Sequence, residues 1–265
     1  MTMTDEGAIV TGAGSGIGRA IAQDLARKGK KVAALDINHD AAARTVAEIE
    51  AAGGQAVALH CDVSDERNVR HGIDAALDAL REVDTLVNAV GVTSPPGLPF
   101  TNCTEEDWDR VFAINVKSMF FTCKAVAPIL IARGRGRIVN IASTAGLIAA
   151  RPMPPYSVTK MAVVTLTKVL ARDMASHGIT VNAVSPGYVW TELWSDDLGE
   201  RLAQNDQSLR RLDARQIFDR RVQELVPMGR PQTAEDVAAA VAFLVSAEAC
   251  NITGQSINVD GGVTI

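Results

Sequence analysis

What this chain lacks narrows its function before any motif is considered. Its four cysteines, Cys61, Cys103, Cys123 and Cys250, include no pair at the spacing of a zinc site or a Cys-x-x-Cys redox motif. Scattered thiols of this kind fit a reduced, cytoplasmic protein and give no disulfide scaffold. Histidine is equally sparse: His39, His60, His71 and His177 never fall at ligand spacing, so no metal is expected. Lysine and arginine form no concentrated block, and a net charge of −5 gives no general attraction to nucleic acid or to an anionic membrane. The basic "ARGRGRIV" reads as a charged loop between a helix and a strand. Long apolar runs are missing too. "AVAPILIA" is far shorter than the roughly 18 residues of a membrane span, and "MTMTDEGAIV" has no basic region leading into a long apolar run, so no secretory signal is expected. The partner left by these exclusions is a neutral small molecule or a locally bound anion.

What is present is a rhythm. Short runs rich in Val, Ile, Ala and Leu, namely "AIVT", "KVAAL", "AVALH", "DTLVN", "GRIVNIA", "TVNAV" and "SINV", alternate with stretches of helical spacing at 16–29, 39–52, 65–80, 105–133, 155–177 and 233–247. Such alternation predicts an α/β fold: a single doubly wound domain over 1–265, with a seven-stranded parallel sheet flanked by helices on both faces. The segment 191–227 interrupts it. There the charges alternate around a thin apolar stripe of Leu198, Leu202, Leu209, Leu212, Phe218 and Val222, which fits either a solvated helical pair or a substrate lid inserted in the domain. In open α/β sheets the ligand lies beyond the carboxyl ends of the strands. A segment leaving the sixth strand is placed to cover it.

The stretch "TGAGSGIG" (11–18) follows the first strand and opens the first helix. Free backbone N–H groups and the helix dipole favour a phosphate there, and glycine lets the backbone come close. Its spacing misses Gly-x-Gly-x-x-Gly in every register. At the end of the second strand stands Asp36, followed by Ile37. A carboxylate in that place pairs with a ribose diol and repels the additional phosphate of NADP. Ser15 in the loop offers no cation, so the expected cofactor is NAD.

Gly12-x-x-x-Gly16-x-Gly18 resembles the glycine motif of the short-chain dehydrogenases/reductases, a Rossmann-fold family, and the likeness runs along essentially the whole chain. It implies cofactor contacts from Gly12, Ser15, Gly16, Ile17 and Gly18, from Asp36 and Ile37, from Asp62 and Val63 against the adenine, from Asn88 and Gly91, and from Pro186, Gly187, Val189 and Thr191. Ala89 and Val90 depart from the family's Asn-Asn-Ala-Gly, which predicts altered local packing with binding retained. The resemblance further implies a homotetramer, with 105–133 and 155–177 meeting across one interface.

Tyr156 and Lys160 lie four apart on a helical segment and share a face, and Pro155 puts the tyrosine in the first turn. A phenol of pKa about 10 must fall by about 3 units, or about 4 kcal/mol, to take a proton from an alcohol near neutrality. One cation at about 4 Å and an effective dielectric near 20 supplies roughly that much. Lys160 is expected to provide it. Ser143, closing the fifth strand, can hydrogen-bond the substrate oxygen as charge develops on it. Asn115 is placed by the resemblance on a water-linked proton relay from Lys160, and both Tyr156 and Lys160 also face the cofactor.

The substrate wall is expected to include Ser143, Ala145, Leu147, Met153, Tyr156, Gly187, Tyr188, Trp190 and Trp194. "PGYVWTELW" and the charged segment that follows look like the polyol and sugar dehydrogenases of the family. The leading expectation is therefore NAD-dependent interconversion of a secondary alcohol, a sugar, polyol or related hydroxy compound, with its ketone. A reductase of 3-oxoacyl thioesters or small ketones, and a catalytically silent NAD sensor, stay open at this point.

Overall fold

The computed structural model describes residues 6–98, 100–150 and 153–265. Seven strands, β1 (Gly7–Thr11), β2 (Lys31–Asp36), β3 (Gln55–His60), β4 (Val83–Asn88), β5 (Gly136–Ile141), β6 (Ile179–Pro186) and β7 (Ser256–Val259), form one sheet in the order β3-β2-β1-β4-β5-β6-β7. Every pairing is parallel. The central strands are buried on both faces, which is why they read as continuous apolar runs. Along β1 the faces alternate: Ala8 and Val10 join one apolar core, Ile9 the other.

The first core is closed by α1 (Gly16–Arg27), α2 (His39–Ala51) and α10 (Ala234–Val245), whose Ile21, Leu25, Ile49, Val237 and Val241 are buried in it. The second is closed by α3 (Glu66–Leu80), α5 (Ser118–Arg133) and α7 (Pro154–Met174), through Val69, Ile73, Val126, Leu130 and Ala171. Each fully buried aliphatic side chain contributes about 1.5–3 kcal/mol. Strand order reverses between β1 and β4. That crevice, beyond the carboxyl ends, is where such sheets take their ligands.

Two expectations change in detail. The segment 105–133 is α4 (Glu105–Phe112), a π-helical turn at Ala113–Lys117, and α5. Within Glu105–Arg133 one 18-residue window, with mean hydropathy 1.4, is apolar enough to cross a membrane by length and composition alone. Its Met119, Cys123, Val126 and Leu130 are instead packed in the interior, as in the core helix of a globular domain. The segment 191–227 is a packed unit, not a solvated helical pair. A π turn at Trp194–Leu198, α8 (Gly199–Asn205) and α9 (Ala214–Leu225) gather Trp194, Leu198, Leu202, Leu209, Ile217, Phe218 and Val222 into a third apolar cluster.

Candidate active site

The glycine loop leaves β1 at Gly12, whose φ of 68° lies in the left-handed region that favours glycine. A Cβ at Gly18 would stand 2.0 Å from the Gly12 carbonyl oxygen, so only glycine lets the first turn of α1 fold onto the loop. Gly14 also has a role: its N–H donates to Asp36 Oδ2 at 2.9 Å, while the Asn38 N–H donates to Oδ1 at 2.9 Å. Ser15 caps α1 by position only, with its side chain making no capping bond, so the N–H groups of the first turn face outward. These are the parts of an anion cradle.

A groove of about 390 Å³ extends from this loop along Asp36 and Ile37 to Asp62 and Val63, and on past Gly91 to Thr191. Gly12, Ser15, Gly16, Ile17 and Gly18 all line it. The cradle, the pinned carboxylate and the groove's length fit a dinucleotide. Asn88 is not in the lining. Its amide donates to Asn140 Oδ1 at 2.9 Å and accepts from Thr122 Oγ1 at 2.7 Å, so it ties β4 to β5 and α5 inside the core. The sequence assigned Asn88 to the cofactor; the structure gives it a supporting place. Val90, the family departure, packs on the loop itself, since a Cβ at Gly12 would meet Val90 Cγ2 at 3.1 Å.

The groove opens into a second cavity of about 520 Å³ lined by Ser143, Ala145, Met153, Tyr156 and Lys160, together with Pro186, Gly187, Val189 and Thr191. Lys160 is buried, and its Nζ donates to the Ile141 carbonyl at 3.0 Å. Gly91 makes room for it, for a Cβ there would stand 3.0 Å from Lys160 Nζ. Asn115 sits in the π turn, where Oδ1 accepts from the Val92 N–H at 2.8 Å and Nδ2 donates to the Val92 carbonyl and to Thr159 Oγ1 at 3.0 Å. The extra residue of a π turn re-aims one side chain of an otherwise regular helix. Here it fixes the loop after β4 against α7.

The electrostatics differ from the simple one-cation expectation. Burial pushes the Tyr156 phenol above its usual range, and the hydrogen bond with Ser143 draws it partly back. Lys160 Nζ lies 5.6 Å from the centre of the tyrosine ring, and desolvation lowers the lysine itself to about 8. Its amine is engaged by a backbone carbonyl. The Ser143 hydroxyl acts on the phenol directly, while the Lys160 amine stands beside the ring.

The expected substrate wall is only partly assembled. Ala145, Met153, Tyr188 and Trp194 line the cavity; Leu147 and Trp190 do not. Trp190 lies edge-on to Phe218, with ring centres 5.1 Å apart, and the Arg215 guanidinium covers it at 4.9 Å. It packs on the apolar cluster of segment 191–227. Residues that the sequence did not single out complete the wall: Ile148, Ala149, Leu193, Leu198, Leu202, Arg221 and Leu225. The apolar stripe of 191–227 carried a signal for two of them, Leu198 and Leu202.

Comparison with known proteins agrees with this geometry. A family model described as enoyl-(acyl carrier protein) reductase matches residues 12–264. The chain belongs to the short-chain dehydrogenase/reductase family. It is 39% identical over 263 residues to a sorbitol dehydrogenase of Cereibacter sphaeroides, covering 99% of this chain and 98% of that one. A 3-oxoacyl-[acyl-carrier-protein] reductase of Synechocystis sp. is 36% identical over 265 residues, with 99% and 98% covered. Among solved structures, an actinorhodin polyketide ketoreductase with NADPH superposes with a TM-score of 0.87 at 35% identity, covering 100% of this chain and 99% of that one. The protein is thus an oxidoreductase that uses a nicotinamide cofactor on an alcohol–ketone pair.

Proposed function

We propose that this short-chain dehydrogenase prefers NAD and interconverts a secondary alcohol of the polyol, sugar or related hydroxy class with its ketone, using Tyr156 as general acid and base. The observation that carries this reading is the meeting of Ser143, Tyr156 and Lys160 in one cavity continuous with the dinucleotide groove. When bound, the cofactor supplies the acceptor or donor of hydride. Tyr156 Oη takes the carbinol proton in oxidation and returns it in reduction. Ser143 Oγ donates its proton to the substrate oxygen, where charge develops. Lys160 orients the ribose and adds positive potential near the phenol. Asn115 fixes the Val92 backbone beside Lys160 and so sets one end of the proton path.

Preference for NAD rests on Asp36, whose carboxylate borders the groove with Ile37 beside it in place of a cation. The competing reading, a 3-oxoacyl or ketone reductase working with NADPH, draws support from the NADPH-bound neighbour and from the apolar wall of the cavity. A homotetramer is the assembly we propose. Phe120 on α5 and Val158, Met161 and Val169 on α7 are exposed apolar side chains on the two helices expected at the interface. A cytoplasmic location accords with four free thiols. The test is NADH formation by the purified protein across a panel of secondary alcohols, run in parallel with NADP. Turnover with polyols and NAD is expected, whereas turnover confined to NADPH and keto-thioesters would replace the reading.

A further inference from the structure

Among its described residues, the segment 191–227 contributes one ionic side chain to the wall of the substrate cavity, Arg221 on α9. Its neighbours on that helix are matched closely: Arg215 Nε donates to both Asp219 oxygens at 3.0 Å, and Arg220 Nε donates to Glu224 Oε1 at 2.7 Å. Arg221 has only a long contact, 3.9 Å from Nη1 to Glu224 Oε2, on a carboxylate already held by Arg220. The other nearby carboxylate, Asp206, accepts two hydrogen bonds from Ser208. Around Arg221 the wall is apolar, formed by Trp194, Leu198, Leu202 and Leu225. Its field reaches the cavity, because it acts on the Tyr188 phenol against the upward push of burial.

The Arg221 guanidinium, 33% exposed and with one long ionic contact, keeps donors available to a group bound in the cavity. Its planar fork of donors has no acceptor function and matches a carboxylate through two parallel bonds. The part of the wall that segment 191–227 supplies around Trp194, with Leu198, Leu202 and Leu225, is hydrocarbon apart from Arg221 among the described side chains, so beyond the carbinol it offers a substrate one cation. We propose that Arg221 determines specificity by binding a carboxylate on the substrate, remote from the carbinol that meets Ser143 and Tyr156. The preferred substrate is then a hydroxy acid. This rests on the alcohol–ketone reading of the same cavity and narrows its substrate class.

The experiment uses the purified enzyme with NAD and a ladder of hydroxy carboxylates from butanoate to heptanoate, each with its hydroxyl on the penultimate carbon and each paired with its methyl ester. At one rung, the acid is expected to exceed its ester in kcat/KM by about ten- to a hundredfold, the range of one charge-assisted hydrogen-bonded pair. Arg221→Gln should abolish that ratio by raising KM for the acid far more than for the ester, and Arg221→Lys should restore it in part. Equal kinetics for acid and ester at every rung, or an equal loss on both in Arg221→Gln, overturns the proposal. Titration of tryptophan fluorescence with the same acids, compared between the wild type and Trp194→Phe to isolate the cavity tryptophan, reads binding independently of turnover. Arg221-dependent binding of the acids without any turnover would keep the carboxylate site and discard the dehydrogenase reading; neither binding nor preference would discard the site alone.

Discussion

The backbone N–H of Gly14 donates to Asp36 Oδ2 at 2.9 Å, so the glycine loop also aims the carboxylate proposed to face the cofactor's ribose. A second N–H, from Asn38, holds the other oxygen. The two parts of the cofactor site are one rigid unit. Asp36→Ala should therefore lower kcat/KM with NAD by about ten- to a hundredfold, the scale of a lost charged hydrogen bond, and raise the relative use of NADP. Initial rates with both cofactors check this, and an unchanged NAD to NADP ratio would contradict it.

Ser143 draws the buried Tyr156 phenol downward, against desolvation. Removing the hydroxyl in Ser143→Ala leaves burial unopposed, so the phenol rises further. Alcohol oxidation needs the deprotonated phenol, so its kcat/KM should climb with pH, and in Ser143→Ala that climb should begin at higher pH as the overall rate falls. A pH–rate profile that stays in place, with only its height reduced, would limit Ser143 to holding substrate.

Lys160 carries a measurable stability signature. Its pKa falls from 10.5 to about 8 through burial, so below about 8 both folded and unfolded chains carry the proton and the full cost of the buried charge is present. Between about 8 and 10.5 the unfolded chain binds more protons, and stability rises with pH. Relative to Lys160→Met, the wild type should gain up to about 3 kcal/mol across that window. Contributions from the other titrating groups cancel in the difference. Urea titrations of both proteins at a series of pH values measure it, and a flat difference would mean that the amine is not buried as described.

Phe218 is fully buried at the centre of the lid, edge-on to Trp190, Trp194 and Tyr188. Phe218→Ala should cost about 3–5 kcal/mol of local packing. The lid is expected to become sensitive to proteolysis, with substrate KM raised and NAD affinity nearly unchanged, because the glycine cradle belongs to a different core. Equal losses of substrate and NAD binding would show that the lid is not a separate packing unit.

The strands and the cofactor groove were legible because their physics is local. A strand buried on both faces reads as a largely apolar run, and a glycine whose Cβ would meet a carbonyl oxygen at 2.0 Å cannot be anything else. The site residues that changed place depended on distant packing. Asn88 carries the right side chain at the end of β4, yet Asn140 and Thr122, far along the chain, take up its amide. Trp190 and Trp194 look equivalent in "PGYVWTELW"; only the position of Phe218 and Arg215 turns the first into lid packing, with the second left in the cavity wall. The π turn at Asn115 was invisible because its sequence is that of an ordinary apolar helix.

In the proposed mechanism the Tyr156 phenol moves the substrate proton in a cavity fed by the dinucleotide groove. Tyr156→Phe preserves the ring and its packing and removes only the hydroxyl. The decisive measurement is NAD-dependent oxidation of a secondary alcohol that the wild type turns over, alongside NAD binding by the same variant. The expected result is loss of kcat by about a hundredfold or more, the scale of positioned acid–base catalysis, with NAD affinity intact. Oxidation of the alcohol by Tyr156→Phe at close to the wild-type rate would contradict it.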